Sequence, residues 1–386
     1  MTEKLYYQDA YISSFAANVV LATPCDRGYD VVLDKTAFFP EEGGQSADTG
    51  KIGDANVIHV YERDGVVHHI TDKAPSTGEK PCVINFDDRF VKMQCHTAEH
   101  ILCGIIHRLF GLDNVGFHLG DDEVVFDVNG VLDREQLDRV EELANEAVFA
   151  NWPIETIFPT PNELSNINYR AKLDITEGVR LVKIGNVDTC ACCAPHVSYT
   201  GEIGLIKILD FMKHRGGTRI WMVAGRRALV DYRARYENIK AISGMLSTPQ
   251  QETADTLKSY MAENDVMRAA LKQARLRIAE LEAEKIELEA EKIEPIDGSA
   301  VFYLPDFSIP ELIAFSNVAN KRIEKLTVAL SGTEGDYKYV ISSNTTDLRR
   351  VAKEINTALG GRGGGRAEMI QGSFSTSLDE IKAYFK

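Results

Sequence analysis

The sequence has no run approaching the ~18 consecutive apolar residues of a membrane helix, and its first ten residues, MTEKLYYQDA, hold no apolar secretion core. The expectation is a cytoplasmic protein with no membrane partner. Positive charge is also scarce: 43 Lys and Arg face 58 Asp and Glu, a formal net charge of −15. That argues against a surface coated uniformly in cations for nucleic acid, but leaves room for a local basic patch. Two stretches carry a surplus, ten basic against six acidic residues over 162–227 and nine against five over 319–366. Cysteine is sparse too: seven residues, an odd count, with Cys190, Cys192 and Cys193 crowded together. In a long cytosolic chain that spacing favours free thiols or a metal site over a disulfide framework.

What is present is enough apolar material, 44% of 386 residues, for two or three cores rather than one. The expected fold class is multidomain α+β. Residues 1–85 read as a small β-barrel: runs such as Val31, Leu33 and Asn56–Val60 are broken at short intervals by glycines. Residues 86–235 read as an α+β metal-binding domain. It has one helix from Asp87 or Asp88 to Leu109, a second from Arg134 to Phe149, and strands near Val179–Ile184, Gly204–Leu209 and Thr218–Val223. Residues 236–296 read as a long helical, coiled-coil linker. Its helix is expected over 249–294, opened by Thr248, Pro249 and Gln251 and closed by Pro295. Leu257, Tyr260, Asn264, Met267, Leu271, Ala274, Ile278, Leu281, Lys285 and Leu288 follow 3,4 spacing along it. Pairing between two copies and docking on its own chain both remain open. Residues 297–386 read as an α/β domain with a glycine-rich loop, Gly360–Gly365.

His96 and His100 stand four apart within MQCHTAEHILCGIIH, one helical turn, so both imidazoles project from one face. About 90 residues later, Cys192 and His196 repeat the spacing in DTCACCAPHV. Three imidazoles and one thiolate form a tetrahedral set of the kind zinc accepts. Cys103, His107 and Cys193 lie close enough in sequence to be rival ligands. His96-Thr97-Ala98-Glu99-His100 also fits H-x-x-E-H, an inverted zinc-peptidase signature in which Glu99 is the general base and Glu177 a third ligand. That alternative leaves Cys192 and His196 without a role.

The segment TAFFPEEGGQ (Thr36–Gln45), followed by Asp48-Thr49-Gly50, joins aromatics, a proline and paired glycines whose backbone can approach a ligand or simply make a hairpin. This segment, the HTAEHIL helix and the run VRLVKIGNVDTCACCAPHV together resemble the editing half of alanyl-tRNA synthetases and the free-standing alanyl-tRNA editing proteins of the AlaX type. GGRGGGRAEMIQGS (Gly360–Ser373) resembles the loop of the accessory domain those synthetases share with DHH-type phosphoesterases. A chain with all four motifs and no aminoacylation domain resembles the long form of AlaX.

The resemblance implies a trans-editing hydrolase that deacylates mischarged tRNA(Ala), chiefly the seryl and secondarily the glycyl ester. Its metal would be Zn2+ on His96, His100, Cys192 and His196. It places Thr36 on the threonine that meets a serine hydroxyl, and Gln45 near the substrate. Glu42, Gln45 and Glu99 are the candidates to orient a water. Where synthetases have Cys-Gly-Gly-Thr-His, this chain has Cys192-Cys193-Ala194-Pro195-His196, so contacts made by those glycines or that threonine are in question. Arg362, Arg366, Gly363 and Gly364 are expected to hold tRNA phosphate, with Arg219, Arg215, Arg226 and Arg227 as further cations. A homodimer through the long helix or the last domain remains open, as does a non-catalytic tRNA-binding module with structural zinc.

Overall fold

The computed structural model describes residues 1–120, 123–171, 178–290 and 298–386, with side chains undescribed over 286–290. The chain forms a multidomain α+β structure with several sheets, divided into two compact units, Met1–Ala241 and Ile242–Lys386. Among the described residues no helix is long and apolar enough to cross a membrane.

The first unit opens with six strands, Ser14–Cys25, Gly28–Leu33, Gly50–Ile52, Ala55–Arg63, Val66–Thr71 and Gly78–Ile84. Each pairs antiparallel with two others, so the hydrogen-bonded ring closes. Alternation along these strands sends Val31, Leu33, Ile52, Val57, Val60, Val67 and Ile84 inward, where they pack on Phe38.

The next element, α1 (Phe86–Phe110), buries every residue from Lys92 to Ile106. A helix apolar on one side only would leave a wet face; this one is enclosed all round. It packs with α2 (Arg134–Phe149) and a four-stranded antiparallel sheet in the order Ile206–His214, Gly217–Ala224, Val124–Val128, Asn114–Leu119. A second sheet, Ile154–Ile157, Leu181–Ile184 and Asp188–Ala191, completes the enclosure. Asp87 and Asp88 do not cap α1: Asn85 holds the N-cap position, and the two carboxylates sit in the first turn, where the helix dipole favours them. A short helix, α3 (Pro161–Leu164), lies on a loop of this unit.

The helix expected over 249–294 is found as α5 (Thr253–Ala290), and a separate helix, α4 (Gly225–Leu246), precedes it across a break. Ser247 has φ +51, a left-handed conformation no helix can contain, and a 3-10 turn over Gln250–Glu252 restarts the chain. The end expected at 294 and its closing Pro295 lie outside the described residues. On α5 the covered face carries Arg275, Ala279 and Ala283, not the 3,4 stripe. Ala279 and Ala283 are fully buried, and Arg275 pairs with Glu311 of α6 (Ile309–Ala319). Leu257, Tyr260, Met267, Leu271, Ile278 and Leu281 of the stripe are exposed.

The second unit's core is a five-stranded sheet in the order Ala300–Tyr303, Thr327–Thr333, Asp336–Ser342, Met369–Phe374, Arg362–Gly365. Only the first pair is parallel, joined by the α6 crossover. Helix α6 covers one face through Leu312 and Phe315; α7 (Leu348–Ala358) and α8 (Leu378–Tyr384) cover the other through Leu348, Ile355 and Ile381. The expected glycine loop is therefore largely an edge strand: Arg362–Gly365 pairs antiparallel with Met369–Phe374.

Candidate metal centre

The buried helix α1 presents His96 and His100 one turn apart, and the strand Asp188–Ala191 and the residues after it bring Cys192 and His196 to the same point. One donor atom from each of the four lies within 4.8 Å of the others. The three imidazole rings stand 4.8–5.3 Å apart, centroid to centroid. Cys192 Sγ is 3.6 Å from His96 Nε2 and 3.3 Å from His196 Nε2.

Each histidine's other nitrogen is held from outside. His96 Nδ1 lies 2.8 Å from Gln45 Oε1, His100 Nδ1 3.2 Å from Asp188 Oδ2, and His196 Nδ1 3.0 Å from Thr97 Oγ1. Thr97 has already given its hydroxyl proton to Met93 O, at 2.7 Å, so it can only accept from His196. Asp188 is a carboxylate gripped by Arg170 Nε and Nη2 at 2.8 and 2.7 Å, so it also accepts. With protons fixed on Nδ1, the Nε2 lone pairs are left to face the centre.

Two local devices make this possible. Gly43 and Gly44 have φ of +63 and +83, and Glu42 and Gln45 exchange backbone hydrogen bonds around them. That tight turn needs left-handed backbone at both positions and delivers Gln45, fully buried, to His96. The paired glycines thus shape a hairpin, not an open anion cradle. Gly104, one turn after His100, is a point of close approach: a Cβ there would stand 2.8 Å from Asp188 Cβ and from Val187 O. Without it Asp188 could not come so near the helix.

Electrostatics prepare the donors. Burial drives the His196 imidazolium down to about 3, leaving the ring neutral. Burial alone would push the Cys192 thiol up, but the imidazoles around it, His96 foremost, reverse this and hold it well below the usual thiol range. Burial opposes charge on His100 as well, yet Cys190 and Asp188 outweigh it and raise its pKa well above the ordinary imidazole value. A thiolate among imidazoles with Nε2 facing inward is a donor set that fits zinc.

The cluster borders a cavity of about 1050 Å³. Its wall includes Glu42, Glu99, Arg108, Arg170, Arg180 and Cys193. Glu99, almost fully buried, accepts from Cys103 Sγ at 3.2 Å and from the Asn114 amide. Cys103 is thereby committed elsewhere, and burial raises its thiol pKa. His107 pairs with Asp113 at 2.9 Å. Cys193 stands outside the cluster; burial, with the neighbouring Cys192 and Glu42, pushes its thiol up. Glu177, the third ligand of the H-x-x-E-H alternative, lies outside the described residues.

Thr36 is not on the cavity wall. It is fully buried, with Oγ1 2.9 Å from His69 Nε2 and accepting from Phe38 N at 3.1 Å. His69 Nδ1 donates to Val31 O, so Nε2 takes the Thr36 proton and the hydroxyl has no donor to spare for a substrate. Arg219 is likewise engaged, in a two-pronged pair with Asp127 at 2.8 Å. Arg227 donates to Gly120 O. Arg362 and Arg366 are exposed, on and just after the edge strand that includes Gly363 and Gly364. Sequence reading did not single out Asp188, Thr97, Arg170 or Arg180. Asp188 sits two residues before Cys190, and only that adjacency pointed to it.

Comparison with known proteins shows what these residues are similar to. Residues 179–221, which include Cys192 and His196, match the model of the threonyl and alanyl tRNA synthetase second additional domain, and residues 306–386 match the DHHA1 domain. The alanyl-tRNA editing protein AlaX-L of Pyrococcus horikoshii is 28% identical over 99% of this chain and 96% of its own length. The alanine–tRNA ligase of Halobacterium salinarum is 33% identical over 87% of this chain, and that of Archaeoglobus fulgidus 28% over 98%. The chain spans only 38% and 43% of those two ligases. A crystal structure of the C-Ala domain from Aquifex aeolicus alanyl-tRNA synthetase aligns with 22% of this chain at 22% identity and a TM-score of 0.19, too low to argue from. The chain is thus a relative of the long-form, AlaX-type alanyl-tRNA editing proteins along nearly its whole length, and it resembles the editing and C-terminal domains of alanyl-tRNA synthetase.

Proposed function

We propose that this protein is a zinc-dependent hydrolase that acts in trans on mischarged tRNA(Ala), releasing serine and, secondarily, glycine. The observation that carries the reading is the convergence of three imidazoles and a thiolate at the edge of an open cavity. The end-to-end match to an alanyl-tRNA editing protein supports the substrate class.

Water adds across the ester: its oxygen bonds to the acyl carbon, the bond to the ribose oxygen breaks, and that oxygen takes a proton. His96, His100, Cys192 and His196 would hold zinc, which would supply Lewis acidity toward the carbonyl. Gln45, Asp188 and Thr97 keep the three rings oriented. Glu99 and Glu42 are the wall carboxylates able to take the proton from water, with Glu99 held in place by Asn114 and Cys103. In this arrangement the Thr36 hydroxyl could meet a seryl hydroxyl only as an acceptor, because its proton goes to His69. On the second unit, exposed Arg362 and Arg366 are assigned to tRNA phosphate, an interaction that should weaken steeply with salt. The open stripe on α5 is assigned to pairing with a second copy.

The test is release of amino acid from seryl- and alanyl-tRNA(Ala), with and without a chelator. Serine release lost on chelation, with alanyl-tRNA cleaved far more slowly, supports the reading. Binding of tRNA without release would make the protein a passive module, and cleavage of unstructured polypeptide would make it a peptidase.

Two further outcomes follow from the centre itself. Loading zinc at neutral pH should release protons, because the metal must displace the one that the raised pKa keeps on His100. The raised His100 pKa sets the sign: affinity falls as pH falls. The dependence of calorimetric enthalpy on buffer ionisation reads the proton count. Asp188→Asn should weaken zinc retention roughly 10–100-fold, measured against a competing chelator, since the amide cannot hold His100 and Arg170 as a carboxylate does.

A further inference from the structure

Three arginines of the first unit share one arrangement that Arg180 lacks. Arg89, Arg170 and Arg219 each turn the Nε–Nη2 edge of the guanidinium onto a carboxylate, that of Asp48, Asp188 and Asp127. Arg180 is 8% exposed and lies on the cavity wall, yet no carboxylate meets it among the described residues. Its Nη1 donates to Cys192 O at 2.7 Å and Ala194 O at 2.9 Å. Among the described residues, Nε on the other edge has no partner, and Nη2 has only a 3.4 Å contact with Thr156 Oγ1. The Tyr7 ring, 5.5 Å away, flanks it and supplies no anion.

A permanent cation this deeply buried costs stability unless an anion meets it. Cys192 thiolate does not fill the role once a divalent metal takes its charge. The acids on the cavity wall, Glu42, Glu99, Asp113 and Asp188, have partners of their own in Cys193, in Cys103 with Asn114, in His107, and in Arg170 with His100. Among the described residues no anion answers Arg180, and a substrate that enters the cavity is a source of one. An aminoacyl ester of a ribose carries no negative charge in its ground state. The nearest permanent anion on such a molecule is the phosphate on the 5′ side of the same terminal nucleotide. Arg180 stands within one residue of the metal cluster, bound to the carbonyl of Cys192 itself.

We propose that Arg180 is the clamp for the 5′ phosphodiester of the terminal, aminoacylated nucleotide, held two-pronged on its Nε–Nη2 edge. This rests on the deacylase reading and adds how the RNA end is gripped. In this role Arg180 is a positioning residue: it fixes the distance between phosphate and ester, and with it the placing of the acyl carbon beside the cluster. A buried guanidinium serving only to tie down the Cys192 and Ala194 carbonyls is the competing explanation, and the two differ in their response to the phosphate.

The probes are non-hydrolysable 3′-serylamino-3′-deoxyadenosine with a free 5′ hydroxyl, and the same compound carrying a 5′-methylphosphate. Binding to the zinc-loaded protein is read by calorimetry, and release of serine from seryl-tRNA is followed in parallel. The wild type should bind the phosphorylated probe about tenfold tighter or more. Arg180→Lys, which keeps the charge but loses the flat two-pronged edge, should shrink that ratio severalfold. Arg180→Met should bring it to about one, with zinc content checked in both variants. Equal affinity of the wild type for the two probes overturns the proposal, and needs no variant to fold. An unchanged ratio in zinc-loaded Arg180→Met overturns it as well. If the wild type releases no serine from seryl-tRNA, the deacylase reading fails first, and that outcome is distinct from a missing phosphate preference in an active enzyme.

Discussion

Cys192→Ala should strip zinc from the purified protein and abolish release of serine from seryl-tRNA(Ala). Cys192 supplies the only anionic donor of the cluster, and its Sγ sits against both His96 Nε2 and His196 Nε2. Removing it leaves three neutral rings around a divalent cation. One of four ligands carries a sizeable share of the about 10–16 kcal/mol that structural zinc contributes, so affinity should fall by roughly 10² or more. Metal content by elemental analysis and single-turnover deacylation check the two halves separately. The fold should survive in large part, because α1 is enclosed by apolar side chains such as Ile101, Leu102 and Ile105 that do not depend on the metal. Full activity with no bound zinc would remove the basis of the proposed mechanism.

Arg89→Met should be the most damaging single substitution for stability, at about 3–5 kcal/mol. Arg89 is 0% exposed on α1 and reaches back into the first strands: its Nε and Nη2 hold Asp48, and its remaining donors bond Ala37 O and Ala10 O. Asp48 in turn accepts from Phe39 N at 2.6 Å. The loop from Phe39 to Asp48 is thus tied at both ends to one guanidinium, and Gln45 lies inside it. Methionine fills similar space but leaves Asp48 charged, buried and unpaired. Denaturant unfolding measures the loss. The double variant Arg89→Met with Asp48→Leu should recover a good part of it, since the stranded charge is gone. Because the same loop aims Gln45 at His96, zinc affinity should fall along with stability in Arg89→Met. A variant as stable as wild type would mean that the loop is held by its apolar contacts alone.

The four donors were legible because each half-site is local: a spacing of four within one segment brings two groups together whatever the rest of the chain does. Helix α2 was legible for the same reason, its Leu137, Val140, Ala144 and Ala147 marking a buried face over the bounds expected. The groups that hold the donors were legible only in part: Gln45 was singled out, for the substrate and not for His96, and Asp188 and Thr97 were not. Gln45, Asp188 and Thr97 come from three segments, and nothing local to Asp188 says that it meets His100; that depends on how close Gly104 lets the strand come. The boundary beside the left-handed Ser247 was legible in Thr248 and Pro249, whereas α4 before it was not read as a separate element. The strand Arg362–Gly365 was read as a loop because glycine has no preference for extended structure; pairing with Met369–Phe374 overrides that composition. Thr36 was placed by likeness of motif, and its neighbour His69, 33 residues on, could not be paired with it from sequence.

The cluster draws on α1 and on a segment that starts roughly 90 residues later in the chain. At about 5–20 residues per second, a ribosome exposes His96 and His100 several seconds before Cys192 and His196 exist. During synthesis the first pair must therefore either wait in a half-formed helix or hold a cation loosely, and final capture becomes a late event that seals the domain from its far end.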